Sequence, residues 1–136
     1  MKVFISYSSK DEALASKLAA SLEDAGLDAW YDKREILPGD NWAEKIAQGL
    51  KESNAMVVLL TPQALENDAV QNNISYALGE KAFKNRLIPV IIGDEKDFPA
   101  DRIPWIFKRL QTITVSKGDQ EAEQFKKVAE AIKAAA

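Results

Sequence analysis

Val3-Phe4-Ile5-Ser6-Tyr7-Ser8-Ser9-Lys10-Asp11-Glu12 opens the chain with a short apolar run that passes at once into hydroxyl-bearing and charged residues. Four residues almost wholly apolar, Val3 to Ser6, fit a central strand covered on both faces. Ser9 with Glu12 three positions on has the form of a capping box, in which the serine accepts a backbone N–H and the carboxylate reaches back. Leu14, Leu18 and Leu22 then recur at helical spacing with Ala15 and Ala19 beside them, and Gly26 ends the run. A buried strand feeding directly into an amphipathic helix is the first half of a βαβ unit.

The unit repeats along the chain. Leu27 to Tyr31 is a second strand, and Asp28 within it indicates an edge. Residues 32 to 41 are expected to form a long loop, with Pro38-Gly39 favouring a type II turn because proline presets φ and glycine tolerates positive φ. Asn41 and Glu44 offer a second capping box. Trp42, Ile46 and Leu50 form the next stripe, so Trp42 is expected to anchor the core rather than offer a stacking face. Met56 to Leu60 is the strongest strand and should be central, closed by Thr61-Pro62. Residues 64 to 82 have helical period, with Val70, Ile74, Ala77 and Leu78 on one face and Asp68 as cap. Leu87 to Ile92 is a fourth strand whose Pro89 requires a bulge or a non-donating position. Thr112 to Val115 is a polar-patterned edge strand, and a last helix from 119 buries Phe125, Val128, Ala129 and Ile132. Between them, Pro99 and Pro104 break any helix, and Ile103-Pro104-Trp105-Ile106-Phe107 either tucks onto the sheet end or marks a contact surface. The expected architecture is α/β, a flavodoxin-like three-layer sandwich. Its parallel sheet has five strands in the order 2-1-3-4-5, with about four or five helices over both faces.

Composition removes whole classes of function. The 136 residues suit one domain, 1–136, and are 46% hydrophobic and 29% charged. A net charge of −3 argues against nucleic acid as a partner. With no cysteine and no histidine, thiolate nucleophiles, His-based triads and the usual metal sites are excluded, and no metal site is expected. No stretch approaches the ~18 apolar residues of a membrane span, and the N-terminus enters a strand without a signal-peptide pattern. A cytoplasmic protein without membrane contact is expected.

Ligands of such sheets bind beyond the carboxyl ends of the strands, where strand order reverses. Here that point lies between the first and third strands and draws together Ser6, Tyr7, Ser8 and Ser9, Thr61-Pro62, and Asp68 to Asn73. A hydroxyl-rich loop leading into a helix suits an anionic group, although the same serines serve equally as strand exit and cap. Asp32, Arg34 and Glu35 hang beside the crevice and could equally be solvated loop charges. A phosphoacceptor receiver would need acidic residues where Ser6 and Thr61 stand. A flavodoxin phosphate loop would need a glycine that Ser8 to Asp11 lacks. No GxGxxG or Walker pattern occurs.

These segments together resemble the TIR (Toll/interleukin-1 receptor) domain in its bacterial form. Val3 to Glu12 resembles the family's first box, and Gly26 to Asp32 with Leu37-Pro38-Gly39-Asp40 resembles its second box and long signalling loop. Val57 to Pro62, Ile74 to Leu78 and Ile88 to Ile91 are similar to the strand, helix and strand that follow. The resemblance implies either NAD⁺ cleavage at the nicotinamide–ribose bond or homotypic TIR–TIR association. It implies nucleotide-binding roles for Ser6, Tyr7, Ser8, Ser9, Asp32, Arg34 and Leu37, and an assembly role for Glu35, Pro38 and Gly39. NAD⁺ enters as substrate or ligand and no cofactor is implied. The family's enzymes carry Trp-x-x-x-Glu after the third strand, whereas this chain aligns as Ala69-Val70-Gln71-Asn72-Asn73. Asn73 then stands at the catalytic glutamate position, and Glu66 and Glu80, each seven residues away, are the nearest glutamates that could substitute. An amide can hydrogen-bond ribose hydroxyls but supplies no charge to an oxocarbenium-like centre. The expectation is a signalling or defence module that associates through TIR surfaces and binds NAD⁺ or a related nucleotide with weak or no hydrolysis. The alternative is a glycohydrolase or cyclase active on assembly.

Overall fold

The computed structural model describes residues 1–80, 83, 86–93, 112–115 and 121–135. The stretch 103–107 and its flanking prolines, and the start of the last helix at 119, lie outside them. Five strands, β1 (Lys2–Ser6), β2 (Asp28–Trp30), β3 (Ala55–Leu60), β4 (Leu87–Ile92) and β5 (Ile113–Val115), form one parallel sheet in the order β2-β1-β3-β4-β5. The helices are α1 (Glu12–Asp24), α2 (Asp32–Glu35), α3 (Trp42–Glu52), α4 (Pro62–Leu65), α5 (Asp68–Gly79) and α6 (Glu121–Ala135).

Strand alternation sorts the side chains into two cores. Val3, Ile5, Val57, Leu59, Ile88 and Val90 face one side, where Leu18 and Leu22 of α1 and Phe125, Val128 and Ile132 of α6 cover them. Phe4, Met56, Val58, Leu60, Leu87 and Ile91 face the other, under Leu50 of α3 and Val70, Ile74 and Ala77 of α5. All six residues of β3 are buried, as a central strand requires. Pro89 needs no bulge, since the pairing runs unbroken from Met56↔Leu87 to Leu60↔Ile91. Met56 N–H donates to the Arg86 carbonyl, which turns the nitrogen of Pro89 away from β3, a non-donating position on that ladder.

The seating of α3 depends on one glycine. A Cβ at Gly49 would lie 2.6 Å from the Trp30 ring, and that ring stacks on Phe4 with centroids 4.8 Å apart and planes 12° from parallel. Glycine therefore lets the helix backbone lie directly against the indole.

Several local expectations are corrected. Ser9 does not cap α1. The chain enters through a 3-10 turn, Ser9–Asp11, without a side-chain cap bond, because Asp11 is turned inward to accept from Thr61 Oγ1 at 2.6 Å. The expected loop begins with α2, built from the good helix formers Lys33, Arg34 and Glu35. Asn67, not Asp68, caps α5, its Oδ1 accepting Val70 N–H at 3.0 Å. Leu78 drifts off the buried stripe of α5 and is exposed. Trp42 is also exposed rather than a core anchor. The Pro38-Gly39 turn forms as read: Asp40 N–H donates to the Leu37 carbonyl at 3.0 Å, Gly39 has φ +91°, and Asn41 Oδ1 then accepts from Glu44 N–H to start α3.

Candidate functional site

A crevice of about 510 Å³ opens at the carboxyl end of the sheet, within the span of small-molecule sites (roughly 300–1,000 Å³). Its lining comes from the ends of β1 and β2, from α3, and from the start of α5. Ser6 is the last residue of β1 and shares the parity of Phe4, so it faces the α3 and α5 layer. Asn73, on the second turn of α5, donates from Nδ2 to Ser6 Oγ at 3.1 Å. That bond ties the helix to the strand end at the crevice floor.

Across the floor, the Tyr7 hydroxyl donates to Asp32 Oδ1. Burial first, and then this hydrogen bond to a carboxylate, push the Tyr7 phenol above its ordinary range, so it remains a donor. Asp32 in turn accepts from Lys33 N–H at 2.7 Å, fixing the first turn of α2. Among the described residues, Asp32 is the single carboxylate in the lining, which includes neither Glu66 nor Glu80. Among the described residues, no cluster of acidic side chains could hold a metal ion, and no helix is long and apolar enough to cross a membrane.

The crevice therefore gathers Ser6, Tyr7, Ser9, Asp32 and Asn73 from the residues singled out in the sequence. It does not gather Ser8, Arg34 or Leu37. Ser8 is buried, and its carbonyl accepts Asp11 N–H at 2.8 Å to close the 3-10 turn. Arg34 turns away to Glu23 of α1 and to the Ala29 carbonyl, with its guanidinium 4.9 Å from the Tyr31 ring centroid. Burial works against its charge, but Glu23 and Glu35 outweigh that and hold it more firmly protonated. Arg34 thus braces the base of the loop. Leu37, 63% exposed, projects from the loop with Glu35, Pro38 and Gly39, all exposed and outside the crevice. Thr61, expected near the site, is consumed elsewhere: it bonds Asp11 and accepts Ala64 N–H as the cap of α4. Sequence reading missed the wall made by Trp42, Ala43, Ile46 and Ala47, and the amide of Asn67, whereas Ala69 and Asn72 fall within the expected stretch Asp68 to Asn73.

The matches to known proteins follow the same outline. A family model described as TIR domain matches residues 3–129. The chain is 28% identical over 121 residues to the NAD(+) hydrolase PdTIR of Paracoccus denitrificans, covering 88% of this chain and 40% of that protein. It is 33% identical over 66 residues to the 2' cyclic ADP-D-ribose synthase BtTIR of Bacteroides thetaiotaomicron, covering 48% of this chain and 23% of that protein. The chain thus spans well under half the length of either. The crystal structure of the TIR domain of the Toll-related receptor TRR-2 from Hydra magnipapillata superposes with a TM-score of 0.70 at 20% identity, covering 96% of this chain and 97% of that one. At that identity the likeness concerns the fold, which it shares.

Proposed function

The chain belongs to the TIR domain family, and on that premise we propose that it is a signalling or defence module. In this reading its crevice takes NAD⁺ or a related nucleotide, it cleaves that ligand weakly or not at all, and it acts through TIR–TIR association. The observation that carries the proposal is the Asn73–Ser6 bond at the crevice floor. A carboxylate there would face the ribose and stabilise the positive charge that builds as nicotinamide leaves. The amide supplies hydrogen bonds without charge. The crevice size and its hydroxyl and amide groups support nucleotide binding. The exposed turn at Leu37 to Gly39 supports association.

The test is incubation of the chain and of Asn73→Glu with NAD⁺ at high protein concentration, measuring free nicotinamide. Little or no release from the unaltered chain is expected, with release at least a hundredfold faster from the variant. Equal rates from both would overturn the view that position 73 limits the chemistry. A second reading, a glycohydrolase or cyclase active on assembly, draws on the hydrolase and synthase activities in the names of the relatives. It also draws on Asp32 as a carboxylate already in the crevice. Rapid release from the unaltered chain that rises steeply with its concentration would favour it.

A further inference from the structure

Trp42 is 53% exposed although its position on α3 repeats the spacing of Ile46 and Leu50. Burial fades along this stripe: Leu50 is buried, Ile46 is partly buried, and Trp42 stands open. The cause is direction. A crossover helix runs back antiparallel to its strands, so the start of α3 overhangs the carboxyl end of the sheet. Beyond Ser6 and Trp30 no residue of β1 or β2 remains beneath it. An indole that would otherwise pack on a strand becomes a wall of the crevice, continued by Ala43, Ile46 and Ala47. Across from this helix, α5 contributes a methyl group at Ala69 and the side-chain amides of Asn72 and Asn73, and its cap adds Asn67.

From this arrangement, and resting on the nucleotide reading above, we propose that Trp42 is the specificity element of the crevice and stacks against the pyridinium ring of an oxidised nicotinamide nucleotide. Three features favour that ring. The face of an indole carries negative electrostatic potential and attracts a flat cation. Asp32, the carboxylate of the lining, adds the same preference. The asparagine amides offer both donors and acceptors, which is the complement a ring carboxamide needs. Adenine is flat but uncharged, so it uses the indole face weakly and gains nothing from Asp32, although its N6 and N7 edge can also pair with an asparagine amide.

The experiment is calorimetric titration of the unaltered chain, Trp42→Ala and Trp42→Phe with NAD⁺, NADH and ADP-ribose, which lacks the nicotinamide ring. Loss of stacking in Trp42→Ala is expected to weaken NAD⁺ roughly tenfold and to leave ADP-ribose within about twofold, with Trp42→Phe recovering most of the loss. The unaltered chain is expected to prefer NAD⁺ over NADH roughly two- to fivefold, a preference that disappears in Trp42→Ala. If none of the three nucleotides binds the unaltered chain, the nucleotide reading falls and this proposal with it. If they bind with affinities indifferent to Trp42, this proposal alone is overturned. Equal weakening of NAD⁺ and ADP-ribose would place the adenine against the indole and would also overturn it.

Discussion

Replacing Gly49 with alanine adds one methyl group to the inner face of α3, and the outcome can be worked from the contacts it would meet. The new Cβ would lie 2.6, 2.8 and 2.9 Å from three atoms of the Trp30 ring. Carbon atoms prefer about 3.5–4.0 Å, so the overlap is close to 1 Å with a rigid ring and not with the tip of a flexible chain. Trp30 cannot retreat easily, because Phe4 is stacked behind it at 4.8 Å. Overpacking costs about 1–3 kcal/mol, and a clash with a rigid ring that is itself backed falls in the upper part of that range, about 2–3 kcal/mol; exchanging glycine for alanine inside a helix returns about 1 kcal/mol. A net loss of about 1–2 kcal/mol is expected. For a chain of this length that lowers the melting temperature by roughly 3–10 °C. Thermal unfolding followed by circular dichroism measures it. The matched control is Gly79→Ala at the end of α5, where an added Cβ meets nothing within 4 Å, so stability should stay level or rise slightly. An unchanged or higher melting temperature for Gly49→Ala would refute the claim that α3 is seated by this contact.

Two further outcomes follow from the site. The Tyr7 phenol is held above its ordinary value of 10.0 by burial and by Asp32, so the folded chain keeps a proton that the unfolded chain loses. That contribution is complete below about pH 10 and is lost as pH rises through the higher folded value. Urea unfolding midpoints should therefore fall more steeply above pH 10 for the unaltered chain than for Tyr7→Phe; parallel curves would contradict the Tyr7–Asp32 bond. Self-association through the loop should appear as a size that grows with concentration in light scattering. It should be weakened several-fold by Gly39→Ala, which forces a side chain into φ +91°; a strict monomer indifferent to that change would count against the loop as a contact.

The sheet was legible in the sequence because its strands are covered on both faces and so read as unbroken apolar runs, Met56 to Leu60 above all. Ser6, Tyr7, Ser9, Asp32 and Asn73 were legible because strand ends and helix starts converge by topology alone. Trp42 was misread for a definite reason. Helical period reports which residues share a face, but not whether that face still has a strand beneath it. Arg34 was placed at the crevice because its partners, Glu23 and the Ala29 carbonyl, lie on other elements and leave no mark in local spacing. The inward turn of Asp11 likewise depends on Thr61, fifty residues away, and no local pattern could separate it from a capping carboxylate.

β2 has a consequence for how copies of this chain can meet. It is the outer strand on its side of the sheet, three residues long, and begins with the exposed Asp28. So short a run, with a charge at its start, offers a poor template for another chain to extend by backbone pairing. Growth by strand addition, the route to cross-β deposits, is discouraged at that border. Copies that gather are left to join through side-chain surfaces, contacts that dilution can undo.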